Sequence, residues 1–111
     1  MRLIIYIDGA CRFNPGPAGI GVWIADSEGT VVKEISEYLG HGTNNVAEWT
    51  AYIRALEQSR VLGASELAVF SDSKLLCEQA RGRYRVRDAR LQKLHGQAKE
   101  LEKNFKHVAL C

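Results

Sequence analysis

The chain has 111 residues and a mass of 12.4 kDa, room for one domain spanning residues 1–111 with a single core, which its 46% hydrophobic residues suffice to fill. No stretch approaches the length of a membrane span, the start Met1-Arg2-Leu3 opens no secretory-type apolar run, and Cys11, Cys77 and Cys111 share no repeated spacing. Composition therefore argues against a membrane protein, a disulfide framework and a zinc site, and makes reduced thiols in a cytoplasmic setting the expectation.

In chain order, Leu3-Ile4-Ile5-Tyr6-Ile7 is an unbroken apolar run, the pattern of a strand buried on both faces, and Asp8-Gly9 ends it. Asn14-Pro15-Gly16-Pro17-Ala18-Gly19 reads as a turn cluster. Residues 20–25 and 30–39 predict two strands of a meander around the turn Asp26-Ser27-Glu28-Gly29; Val31, Lys33, Ile35 and Glu37 give the second strand no clean inside and outside. Gly40-His41-Gly42-Thr43-Asn44-Asn45 predicts a polar loop with exposed backbone, suited to a sugar hydroxyl or a phosphate. A helix follows, because Val46, Trp49, Ile53 and Leu56 recur at three- and four-residue intervals, Ala47, Ala51 and Ala55 allow close packing, and Gly63 stops it.

Leu67-Ala68-Val69-Phe70 repeats the opening pattern and ends at Ser71-Asp72. A helix between two such runs implies parallel neighbouring strands joined by a crossover. Next comes Arg81-Gly82-Arg83-Tyr84-Arg85-Val86-Arg87, whose alternate arginines would point one way in an extended segment and reach phosphates. The net charge of +2 conceals this asymmetry: residues 1–80 hold 6 Lys and Arg against 10 Asp and Glu, and residues 81–111 hold 9 against 3, so the parts carry −4 and +6. A last helix over residues 87–104 places Leu91, Leu94, Ala98, Leu101 and Phe105 on one stripe, interrupted by His95 and Gly96. Residues 106–111 begin a final strand, with His107 at its solvent side.

Three acids stand out against this frame. Asp8 and Asp72 end the two buried runs, and ligands of parallel sheets gather outside the carboxyl ends of the strands. Glu48 lies in the first turn of the intervening helix, where it admits two readings: the partner of an Asn45 N-cap in a capping box, or a third carboxylate at the same sheet edge. Carboxylates clustered without a basic neighbour are costly unless a divalent metal neutralises them.

The segments Tyr6-Ile7-Asp8-Gly9-Ala10, Asn14-Pro15-Gly16 with Gly19, Thr43-Asn44-Asn45-Val46-Ala47-Glu48 and Ser71-Asp72-Ser73 occur in an order and spacing that resemble type 1 ribonuclease H and the related reverse-transcriptase-like domain. The resemblance implies an α/β fold with a mixed five-stranded sheet, an antiparallel meander plus parallel strands, flanked by helices. It implies metal-dependent cleavage of the RNA strand of an RNA–DNA hybrid, with Asp8, Glu48 and Asp72 holding up to two Mg²⁺ or Mn²⁺ ions. It also implies substrate contacts at Gly9, at Asn14, Asn44 and Asn45 near the RNA 2′-hydroxyls, and at Thr43 on a DNA phosphate; the charge pattern adds Arg83 and Arg85. Family members continue past the fifth strand into a helix that supplies a fourth acid. The sequence given stops at Cys111 with no Asp or Glu after Glu102, so the expected fold is truncated at its C-terminal end, and Asp88, at a helix start, is no replacement. Reduced or Mn²⁺-preferring hydrolysis is the expectation, with a catalytically impaired hybrid-binding domain as the alternative. A homodimer is expected if sheet face and strand edge stay uncovered.

Overall fold

The computed structural model describes residues 1–110; the expectations for Cys111 lie outside them. Chain order is β1 (Arg2–Cys11), β2 (Gly16–Asp26), β3 (Val31–Gly42), α1 (Asn44–Val61), β4 (Glu66–Phe70), α2 (Lys74–Ala80), α3 (Ala89–Glu102) and β5 (His107–Leu110). The sheet order is β3-β2-β1-β4-β5, with β1 to β3 an antiparallel meander and β1, β4 and β5 parallel. This is the mixed five-stranded sheet expected.

Leu3, Ile5 and Ile7 of β1 and Ile20, Val22 and Ile24 of β2 share one core with Trp49, Tyr52, Ile53 and Leu56 of α1 and with buried residues of α2 and α3. The expectation that β1 is buried on both faces is corrected. Its residues alternate, and Tyr6 is 56% exposed on a face that no helix residue of the core covers. Tyr6 pairs in register with Trp23 and with Phe70, stacking on Phe70 at 5.2 Å, so an aromatic row crosses three strands in place of a second core. An apolar run announces a strand, but whether both faces are covered depends on helices elsewhere in the chain.

Several boundaries move for identifiable reasons. β1 continues past Asp8 because β2 still pairs with it, as Asp8 opposite Gly21 and Cys11 opposite Ala18. Much of the predicted turn cluster before residue 20 belongs to β2, and Gly40, His41 and Gly42, read as loop, pair with Ala18, Pro17 and Gly16. Small residues there let the two strands run on together. The meander turn is as read: the Asp26 carboxylate accepts from the backbone N–H groups of Glu28 and Thr30, and Gly29 takes a φ of 89°, which a side chain would resist.

The capping-box reading of Glu48 is overturned. The N-cap of α1 is Thr43, whose hydroxyl accepts from the N–H of Val46 at 3.2 Å, while Asn45 lies inside the first turn. Asp88 caps α3, its carboxylate accepting from the N–H groups of Arg90 and Leu91. In α3 the predicted stripe faces inward, with Leu91 and Ala98 buried and Leu94 and Leu101 packed against the core, while Phe105, also buried, lies beyond the end of the helix at Glu102. His95 does not break it, because its ring meets the Trp49 ring edge-on at 5.5 Å. His107 is exposed on β5, as expected. No helix among the described residues is long and apolar enough to cross a membrane.

Candidate active site

Asp8 sits just beyond the last β1–β4 pair, Tyr6 with Phe70. On the neighbouring strand, β4 ends at Phe70, and Asp72 occupies the short connection to Ser73, the N-cap of α2. Asp8 and Asp72 therefore line one open cavity of about 540 Å³, walled by Tyr6, Trp23 and Phe70. Both carboxylate-bearing residues are exposed.

Glu48 arrives from the helix side, and Gly9 makes that possible. A Cβ on Gly9 would lie 2.4 Å from the carbonyl carbon of Ala47 and 2.6 Å from the N of Glu48, so only glycine lets the first turn of α1 settle on β1. Gly9 is buried beneath that turn rather than displayed to a substrate. Its N–H bonds the Glu48 carboxylate, and the Ser71 hydroxyl donates to Oε2 of Glu48 at 3.5 Å. Burial pushes the Glu48 pKa up to about 7, and the negative charges of Asp8 and Asp72 add to the rise against the hydrogen bonds from Gly9 and Ser71.

Three carboxylates from β1, α1 and the β4–α2 connection thus share one electrostatic neighbourhood. Among the described residues none of them forms an ion pair with a Lys, Arg or His. Their hard oxygen donors suit Mg²⁺ or Mn²⁺, and the mutual repulsion felt by Glu48 is what a cation would relieve. The side chains do not form a closed shell: among the described residues no three of His, Cys, Asp and Glu are arranged as a ready-made metal site, and Glu48 turns to Ser71 and Gly9.

Beside this edge, the loop after β1 and the start of α1 are tied together. The backbone N–H of Cys11 donates to Oδ1 of Asn44 at 2.9 Å, and the N–H of Asn44 donates to Oδ1 of Asn14 at 3.2 Å. The Cys11 thiol lies 3.2 Å from Oδ1 of Asn44 and 3.5 Å from Oδ1 of Asn14, so it takes a polar role in this cluster. With both Oδ1 atoms held inward, the exposed Asn14 and Asn44 have their amide NH₂ groups left for a ligand. Asn45 is exposed beside them, and Thr43 is half-buried as the cap.

The arginine run does not stay together. Arg81 is the C-cap of α2, and its guanidinium donates to the carbonyl of Leu110 and pairs with Glu78, so it serves the fold. Arg83, 66% exposed in its side chain, reaches Glu78 only at 3.5 Å, and Arg85 is exposed with no ion pair among the described residues. Gly82, with φ 81°, turns the chain between Arg81 and Arg83, which is why the alternate arginines do not share one direction. Ser71 and Cys11 escaped sequence reasoning, since neither a hydroxyl after a strand nor a lone thiol signals a contact 23 or 33 residues away.

A sheet in the order 3-2-1-4-5, with acids on β1, on the first crossover helix and after β4, defines the class as a ribonuclease H-like α/β fold. Residues 6–110 match the family described as reverse transcriptase-like, and the chain belongs to that family. It is 46% identical over 110 residues to the bifunctional protein Rv2228c of Mycobacterium tuberculosis, covering 97% of this chain and 30% of that protein. The N-terminal RNase H domain of Rv2228c, solved as a fusion with maltose-binding protein, superposes with a TM-score of 0.96 at 40% identity, covering 99% of this chain and 85% of that one. LC11-RNase H1, solved in complex with an RNA/DNA hybrid, gives 0.92 at 38% identity, covering 98% and 83%. The chain thus spans about a third of the first of these relatives, and most of the two solved chains.

Proposed function

We propose that this chain hydrolyses the RNA strand of RNA–DNA hybrids, with Asp8, Glu48 and Asp72 as the catalytic, metal-holding carboxylates. The observation that carries the reading is the unpaired acidic trio, in which Asp8 and Asp72 help to raise the pKa of Glu48. Relatedness to domains named RNase H, one of them solved with a hybrid, supports the substrate class. Divalent ions bound there would activate the attacking water and neutralise charge developing on the scissile phosphate.

The chain's own residues supply the rest. Asp8 offers its carboxylate from a rigid strand, Asp72 from a connection pinned by the Ser73 cap, and Glu48 from a helix turn locked on Gly9. Asn14 and Asn44 present amide donors at a fixed mutual spacing, fitting 2′-hydroxyl and base-edge oxygens that distinguish RNA from DNA, and Asn45 extends that row. Arg83 and Arg85 offer cationic contacts to phosphates. Thr43, whose hydroxyl caps α1, is the residue assigned to a phosphate of the DNA strand on the family resemblance.

The test is cleavage of an RNA–DNA hybrid labelled on the RNA strand, in Mg²⁺ and in Mn²⁺, beside Asp72→Asn. Cleavage abolished or reduced at least ~100-fold in the variant, on the scale of removing a transition-state electrostatic contact, is expected. Tight hybrid binding without cleavage at any Mn²⁺ concentration would leave a hybrid-binding domain instead. Absence of binding would end both readings.

A further inference from the structure

Helix α2 has an anomaly that packing does not explain. Its buried face carries Leu76, Cys77 and Ala80, and among them Gln79 is only 5% exposed. A position that merely filled the core would be apolar, so a buried amide needs a partner at each end. Gln79 has both. Its Oε1 accepts from the indole Nε1–H of Trp49 at 3.1 Å, and its Nε2 donates to the backbone carbonyl of Arg85 at 3.3 Å. The orientation is dictated by the partners, because an indole N–H can only donate and a carbonyl can only accept.

This amide joins two places that matter to the proposed reaction. Trp49 follows Glu48 directly in α1 and is itself fixed by Tyr52 and His95 through edge-on ring contacts at 6.1 and 5.5 Å. Arg85 lies in the basic segment between α2 and α3, where the N–H groups of Arg83 and Tyr84 also donate to the carbonyl of Glu78 at 2.9 and 3.2 Å. The side chain at residue 79 therefore bridges the helix that bears an active-site acid and the loop that bears the exposed arginines.

We infer that Gln79 is a positioning residue: its amide sets the basic loop of residues 82–87 at a fixed place relative to α1, so that Arg83 and Arg85 meet substrate phosphates in register with the acidic edge. The inference rests on the proposed hybrid-cleaving function. Gln79 touches neither substrate nor metal; it acts through the backbone of Arg85.

Binding of a fluorescent RNA–DNA hybrid, measured without divalent ions over a series of salt concentrations, tests it with Gln79→Met, which keeps the volume and loses both hydrogen bonds. Affinity should fall roughly 3- to 10-fold at low salt and the salt slope by about one, as expected when one or two oriented phosphate contacts are lost. Arg85→Ala should then cost less in the Gln79→Met background than alone, a coupling that general destabilisation does not produce. Amide hydrogen exchange at Arg83 and Tyr84 should quicken in the same variant while β1 and β4 keep their protection. A folded Gln79→Met protein with the parent's affinity, slope and exchange overturns the inference. If that variant does not fold, Trp49→Phe, which keeps an aromatic ring while removing the N–H donor and part of the indole, and Gln79→Glu, which sets a carboxylate against the Arg85 carbonyl, face the same three readouts. A parent that binds no hybrid overturns the phosphate role and the function beneath it, whereas quickened exchange in the variants would still establish the anchor.

Discussion

At the scale of single residues, Glu48 has the most perturbed chemistry in the candidate site. An ordinary carboxylate near 4.5 is moved to about 7 by burial and by two like charges. The folded protein therefore keeps a proton that the unfolded chain has released, and the stability this represents is complete below pH 4.5 and is lost as pH rises through about 7. In metal-free protein, denaturant midpoints should fall across that window, and Glu48→Gln should flatten the fall. Metal should bind more tightly above pH 7, where the carboxylate is already bare. A midpoint independent of pH in the parent, or the same decline in the variant, would contradict the assignment. Sequence reading reached Asp8, Glu48 and Asp72 because an acid that closes an apolar run or follows a predicted helix start is visible as spacing, although β1 runs on past Asp8 to Cys11 and the Thr43 cap leaves Glu48 just beyond the first turn of α1. It did not reach Ser71, or Gly9 as the floor under Glu48, because those depend on how closely a helix settles on a strand.

At the scale of elements, the start of α1 is where two sequence signals competed. Asn45 followed by Glu48 has capping-box spacing, yet Thr43 holds the cap through the N–H of Val46. The stretch Thr43-Asn44-Asn45 offers three capping residue types in a row, and what decides among them is tertiary: Asn44 is bound to Cys11 and Asn14, which fixes where helical geometry begins. Thr43→Ala should cost about 1 kcal/mol of stability, the usual worth of an N-cap, whereas Asn45→Ala should cost no more than a few tenths. Chemical denaturation of both decides between them, and the reverse ranking would restore the capping box. β1 teaches a related lesson: its apolar run disclosed the strand but not the exposed aromatic row of Tyr6, Trp23 and Phe70, since coverage of a face is not written in the strand that bears it. Elements carried by strong periodicity, α1 and α3, were legible within two or three residues; strand ends built from glycine and proline were not.

At the scale of the molecule, the sheet has one face packed under helices and one open around the cavity that Asp8 and Asp72 line. The open face also carries partly exposed apolar groups at Trp23, Val31 and Phe70, and large exposed apolar patches favour association. A concentration-dependent dimer by light scattering is the expected outcome; a monomeric mass at high concentration removes that expectation. Architecture was the most legible level, because the order of runs and helices restricts topology severely. The division of the arginine run, with Arg81 spent on β5 and Arg83 and Arg85 left exposed, was not legible, since it follows from where α2 happens to end.

In the proposed reaction, three carboxylates from separate elements act together on a divalent cation. Crystals soaked in Mn²⁺ and measured for anomalous scattering test this most directly. At least one strong peak bounded by Asp8, Glu48 and Asp72 is expected, with the Glu48 side chain drawn away from Ser71, and no such peak in Asp72→Asn. Saturating Mn²⁺ that leaves this edge without a peak, in a protein that still cleaves hybrid, would contradict it.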